Sequence, residues 1–142
     1  MKKKVLVLHG PNLNLLGERE PEVYGAMTLA QLNSTLRRKA RELKLTLRIY
    51  QSNHEGKLID LLHANRKWAQ GCVFNPGAFT HYSYAIRDAV AASQIPTIEV
   101  HLSDIKKREP FRRLSVVEPV CVGQITGKGL HSYLEALERL SA

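Results

Sequence analysis

The chain has 142 residues, 44% hydrophobic and 24% charged, the balance of a soluble globular protein at a length that suits one domain. Its 21 basic and 13 acidic residues leave a formal charge of +8, which favours anionic partners and says nothing of fold. No apolar run approaches the roughly 18 residues that span a bilayer, and the apolar residues 5–8 after Lys2-Lys3-Lys4 are too few for a secretory signal, so no membrane partner and a cytoplasmic location are expected.

The first element is Lys4-Val-Leu-Val-Leu-His9, an apolar run closed by Gly10-Pro11 and so a buried strand. A long polar stretch follows to about Met27, and connections of that length inside a compact domain are usually functional. Thr28 and Gln31 have the spacing of a capping box, and Leu29, Leu32, Leu36, Ala40 and Leu43 then recur at helical spacing. The unit repeats: strand 46–51 and helix 57–69, strand 71–75 and helix 83–93, strand 96–102, strand 120–125 and helix 130–140. Strands alternating with helices imply parallel crossovers, and five of them most simply give an α/β, flavodoxin-like three-layer sandwich around a five-stranded parallel sheet. Residues 1–142 are expected to form a single catalytic domain. Cys72 and Cys121 sit in separate apolar runs and are expected as two buried thiols.

Ligands of open α/β sheets bind beyond the carboxyl ends of the strands. There the chain places His9, Asn12 and Asn14 after strand one, and Asn75, Thr80 and His81 after strand three. After strand four come His101, Ser103, Asp104 and a basic run through Lys106, Lys107, Arg108, Arg112 and Arg113. Polar groups from distant sequence thus converge on one crevice. The short motifs of cofactor chemistry are missing. The run from Gly123 to Gly129 has the wrong spacing for a phosphate loop, and no dinucleotide fingerprint follows the first strand. His54-Glu55 lacks the second histidine of a zinc protease, and the six histidines have no metal-ligand spacing, so no cofactor and no metal are expected. Asn53 to Gly56 reads as a turn and helix cap, and His63 and His131 as surface or packing residues.

Gly10-Pro-Asn-Leu-Asn-Leu-Leu-Gly17, Arg19-Glu-Pro21, Tyr24-Gly25, Gln51-Ser-Asn-His-Glu-Gly56, Asn75-Pro-Gly-Ala78, Thr80-His81, Glu99-Val-His-Leu-Ser103, Arg108-Glu109 and Phe111-Arg112 resemble the blocks of type II 3-dehydroquinate dehydratases, in the family's order. Asp104, where family members often carry Asn, and the tail after Gly129 depart from the pattern. The resemblance implies a lyase that dehydrates 3-dehydroquinate to 3-dehydroshikimate by anti elimination through an enolate, without Schiff-base lysine or metal. The reaction serves the shikimate route to chorismate and aromatic amino acids, or quinate breakdown. It implies Tyr24 as the base, His101 as the acid, Arg19 as stabiliser of the tyrosinate and transition state, and Asn12 as stabiliser of the enolate. Asn75 with the N–H groups of Leu102 and Ser103 would hold the substrate carboxylate, and His81 and Arg112 its hydroxyls. Asp88, seven residues after His81 and on a common helical face with it, would reach a neighbouring subunit's site in trimers assembled into a homododecamer.

A phenol is a poor base at neutral pH, and lowering its proton affinity by roughly 3 units corresponds to about 4 kcal/mol. One cation about 4 Å away supplies a similar energy at an effective dielectric near ~20, but burial opposes it. Arg108 is therefore the candidate second cation beside Arg19. Two other classes compete. A nucleic-acid module would use the +8 charge and the basic run, but with only 6% aromatic residues and no reading motif, no nucleic-acid partner is expected. A non-catalytic ligand-binding module leaves the tyrosine, arginine and histidine set without a role.

Overall fold

The computed structural model describes residues 2–142. Strands β1 (Lys3–His9), β2 (Leu45–Gln51), β3 (Gly71–Asn75), β4 (Thr97–Val100) and β5 (Gly123–Ile125) form one sheet in the order β2-β1-β3-β4-β5. Every neighbouring pair is parallel. This is the flavodoxin-like order, and its reversal beside β1 places the ends of β1, β3 and β4 around one crevice.

The reason is visible in β1. Val5, Leu6, Val7 and Leu8 are all fully buried, because the strand is covered on both faces and period-two alternation sends them to opposite cores. Val5 and Val7 pack with Leu32 and Leu36 of α2 (Leu29–Leu43) and Tyr133 and Leu137 of α5 (Leu130–Ser141). Leu6 and Leu8 pack with Leu58 and Leu62 of α3 (Glu55–Asn65) and Ile86 and Val90 of α4 (Tyr84–Ser93). Helix α2 starts as its sequence requires: Thr28 Oγ1 accepts from the Gln31 N–H at 3.2 Å, and Gln31 Oε1 accepts from the Thr28 N–H at 3.0 Å. Such a cap contributes about 1 kcal/mol.

Boundaries shift where side chains or proline intervene. Helix α3 begins at Glu55 and stops at Asn65, whose Nδ2 donates to the Leu61 carbonyl and whose own carbonyl accepts from Trp68 and Ala69. Strand β4 ends at Val100, two residues early. Strand β5 begins only at Gly123, because Glu118–Val120 form a 3-10 turn around Pro119, which has no N–H for a ladder. The long connection after β1 is locally ordered, with a 3-10 turn at Leu13–Leu15 and a one-turn helix α1 (Pro21–Tyr24). Cys72 is buried as expected, but Cys121 is only half-buried, since it lies outside the shortened β5. Among the described residues no helix is long and apolar enough to cross a membrane.

Candidate active site

Beyond the ends of β1, β3 and β4 lies a crevice lined by Asn12, Arg19, Tyr24, Asn75, His81, His101, Leu102, Ser103, Arg108 and Arg112, with apolar walls from Pro11, Leu13 and Ile105. Three guanidinium groups and no carboxylate line it, so it is built for an anion. Of the basic run, Arg108 and Arg112 enter the crevice, whereas Lys106, Lys107 and Arg113 are exposed outside it. Glu18, Glu20 and Glu22 also stay outside.

Helix α1 carries Tyr24 into the crevice. Its hydroxyl accepts a hydrogen bond from Arg108 Nη1 at 3.2 Å, and the same nitrogen lies 3.4 Å from Ser103 Oγ. The bond to Tyr24 raises the proton affinity of the Arg108 guanidinium, against the smaller opposing effect of burial. Arg19 approaches differently: its guanidinium lies over the Tyr24 ring, 4.9 Å from the centroid, and pairs with Glu20 at 3.5 Å. The direct partner of the phenol oxygen is thus Arg108, with Arg19 on the ring face.

His101 stands at the end of β4, almost fully buried, and its Nε2–H donates to Glu99 Oε2 at 2.5 Å. Glu99 is wholly buried. Burial pushes its carboxyl up, but hydrogen bonds from His101, Thr80 and Ser115 outweigh that and hold it below the ordinary carboxylate range. Thr80 Oγ1 donates to Oε2, and Ser115 Oγ lies 2.8 Å from Oε1. Thr80 is therefore beneath the crevice and not in it. With Nε2 bound to Glu99, Nδ1 is the nitrogen left for the crevice.

The backbone after His101 is shaped for an anion. The carbonyls of Leu102 and Ser103 accept from the N–H groups of Gly129 and Gly127, at 3.0 and 3.1 Å. The N–H groups of Leu102 and Ser103 themselves donate to no group among the described residues, leaving two donors side by side at the crevice wall. The glycine-rich segment that makes a poor phosphate loop is thus a clamp on this backbone. Asn75 is nearly buried, with Oδ1 accepting from the Gly77 N–H at 3.1 Å. Asn12 is held at a left-handed φ of 70° by its N–H donating to Asn53 Oδ1 at 2.9 Å, so Asn53 supports a crevice residue and is more than a turn former. His81 Nδ1–H donates to the Leu114 carbonyl at 2.7 Å, which leaves Nε2 as an acceptor; burial, the largest influence, pulls its proton affinity down. Arg112 Nε donates to Glu109 Oε2 at 3.1 Å.

Two expectations need correction. His9 is fully buried under the sheet end and does not line the crevice, because its ring is taken by Tyr133 and Asn33. His81 and Asp88 share no helical face: His81 closes the 3-10 turn Gly77–His81, while Asp88 lies on α4 behind the Ser83 cap. Asp88 is exposed and outside the crevice of its own chain. Among the described residues no cluster of His, Cys, Asp and Glu is arranged to hold a metal ion.

Comparison with known proteins agrees over almost the whole chain. The family model described as Dehydroquinase class II matches residues 3–141. A 3-dehydroquinate dehydratase of Pelotomaculum thermopropionicum is 58% identical over 139 residues, covering 98% of this chain and 96% of the relative. A 3-dehydroquinate dehydratase of Halothermothrix orenii is 55% identical over 137 residues, with 96% and 93% covered. The crystal structure of a type II dehydroquinase from Butyrivibrio crossotus superposes with a TM-score of 0.97 at 47% identity, covering 99% of both chains. With this fold and a match spanning residues 3–141, the chain belongs to the class II dehydroquinase family.

Proposed function

We propose that this crevice dehydrates 3-dehydroquinate to 3-dehydroshikimate, the third step of the shikimate route to chorismate and aromatic amino acids. The observation that carries the reading is a phenol held by one guanidinium and an imidazole held by a buried carboxylate, both on a crevice with three arginines. An elimination beside a ketone needs a base for the carbon-bound proton, an acid for the departing hydroxyl and donors for the enolate. Tyr24, as phenolate, takes the proton. Arg108 holds the phenolic oxygen, and Arg19, over the ring, adds positive potential to the phenolate and the enolate. Asn12 donates toward the enolate oxygen. His101 delivers its Nδ1 proton to the leaving hydroxyl, and Glu99 keeps Nε2–H in place so that Nδ1 is the nitrogen that exchanges protons.

The substrate carboxylate sits against the Leu102 and Ser103 N–H groups and the Asn75 amide. His81 Nε2 accepts from a ring hydroxyl, and Arg112 donates to another. No residue in this scheme is a Schiff-base lysine, and no step calls for a metal. The carboxyl-end crevice, its wall of α1 and the sheet beneath constitute one catalytic unit acting in the cytoplasm on a small molecule, with no nucleic-acid or membrane partner. In this reading Asp88 serves a neighbouring subunit's site, and the exposed Tyr82, Tyr84, Phe111 and Leu114 supply apolar area for the trimers of a homododecamer. The stereochemistry tests the reaction. 3-Dehydroquinate deuterated on the hydrogen trans to the departing hydroxyl is expected to lose its label to solvent during turnover. Retention of that label in the product would overturn the anti course of the elimination and, with it, Tyr24 as base and His101 as acid.

A further inference from the structure

Behind Asn75, under the crevice, His9, Tyr133 and Asn33 form a buried polar chain that the elimination does not use. His9 and Asn75 are register partners on β1 and β3, and the Gly10 N–H donates to the Asn75 carbonyl at 2.7 Å, so the two side chains leave the sheet as neighbours. His9 is fully buried; its Nδ1 lies 2.9 Å from the Tyr133 hydroxyl and its Nε2 2.8 Å from Asn33 Oδ1. Tyr133, on α5, is also fully buried; burial pushes its phenol up, and the Asn75 side chain acts against that.

The direction of this chain is set at one end. The Gly77 N–H can only donate, so the Asn75 atom that meets it is the carbonyl oxygen, and the NH2 group is on the other side. An NH2 facing Tyr133 makes the phenol oxygen an acceptor, which sends the phenol proton to His9 Nδ1. His9 then carries its proton on Nε2, and Asn33 must present its oxygen, as it does. This is the arrangement in which every polar hydrogen along the chain meets an acceptor. Asn75 lines the crevice, so its remaining N–H is the donor left for a ligand there. Were the amide flipped, its oxygen would confront the incoming anion.

We propose that His9 and Tyr133 are positioning residues that lock the Asn75 amide with its N–H toward the substrate anion, with Asn33 fixing the far end of the chain. The proposal rests on Asn75 binding the substrate carboxylate. Binding through Asn75 acts on ground and transition state alike, so loss of the lock raises KM and leaves kcat nearly unchanged.

The experiment is a double-mutant cycle of Tyr133→Phe and Asn75→Ala, read as KM and kcat for 3-dehydroquinate. Asn75→Ala is expected to raise KM roughly tenfold and Tyr133→Phe roughly fivefold, each a step of one buried hydrogen bond. Tyr133→Phe placed on Asn75→Ala adds less than about twofold, since the lock then has nothing to hold. Equal KM effects of Tyr133→Phe with and without Asn75, or a fall confined to kcat, would overturn the lock. An unchanged KM in Asn75→Ala would instead overturn the assignment of Asn75, leaving the two failures distinguishable. Asn33→Ala, at the half-buried end, tests the same chain should Tyr133→Phe fold poorly, and a KM unmoved there counts against it. Nitrogen NMR of the wild-type imidazoles gives the direction independently: the account requires His9 neutral with its proton on Nε2 at neutral pH, and a proton on Nδ1 contradicts it.

Discussion

Tyr24 and Arg108, 84 positions apart in the chain, meet through a 3.2 Å hydrogen bond from guanidinium to phenol oxygen. A donor fixed on that oxygen stabilises the phenolate more than the phenol, which is what a tyrosine base requires. Arg108→Ala is expected to lower kcat roughly 10²-fold with a smaller change in KM, the scale of losing one preorganised donor. Arg19→Ala, removing a cation from the ring face, lowers kcat as well. Steady-state kinetics of the two variants check this, and a kcat within twofold of wild type for Arg108→Ala would contradict the assignment.

Glu99 orients His101 and holds no substrate. Glu99→Gln keeps the shape but loses the negative charge and, with it, the certainty that Nε2 carries the proton. The expected result is a kcat reduced roughly 10²-fold with KM nearly constant, in the range that general acid catalysis contributes. A KM effect without a kcat effect would place Glu99 in substrate binding instead.

His9 makes the fold sensitive to acid. Burial lowers its pKa to about 4 from an ordinary 6.5, with the Asn33 hydrogen bond opposing. Well above pH 6.5 it is neutral in both states and has no effect on stability. As pH falls from 6.5 toward 4 the unfolded chain takes up a proton that the folded chain refuses, so stability is lost across that window, by about 3 kcal/mol in all. Denaturant titrations over this range should yield a shallower acid slope for His9→Gln than for wild type. Glu99, with its lowered pKa, adds loss of the same sign at lower pH.

Gly10 sits where the ends of β1 and β3 touch. A Cβ there would lie 2.6 Å from the Pro76 carbonyl carbon and oxygen, both backbone atoms that cannot step aside. Gly10→Ala is expected to destabilise by ~1–3 kcal/mol, the cost of overpacking, and to lower activity because Asn12 and Asn75 flank the contact. Thermal melts beside turnover measure both.

Asp88→Ala is expected to raise KM and to shift the assembly toward smaller species. Kinetics and sedimentation of the same sample decide it: unchanged KM and unchanged mass would remove Asp88 from the neighbouring site.

The fold was legible because a two-face-buried parallel strand reads as an unbroken apolar run, as in residues 5–8, and because Thr28 and Gln31 announce a helix start. The crevice was legible too, since strand ends converge: Asn75 closes β3, His101 directly follows β4, and Tyr24 lies on the long connection after β1. Glu99 was missed as a functional group. Its partners Thr80 and Ser115 are 19 and 16 positions away, and it lies inside an apolar strand. A signal existed: a carboxylate two residues before a histidine on one strand shares its face. The order of the arginines was not legible, since which guanidinium meets the Tyr24 oxygen depends on how two loops pack. His9 misled because a histidine closing a strand looks the same whether it faces ligand or core.

The most direct measurement follows formation of the conjugated product from 3-dehydroquinate in the ultraviolet, for wild type, Tyr24→Phe and His101→Ala, with chelator and borohydride as controls. The account predicts wild-type turnover that survives both controls and falls at least ~10²-fold in each variant, while the variants stay folded. Turnover that persists in both variants, or none from folded and assembled wild type, would contradict it.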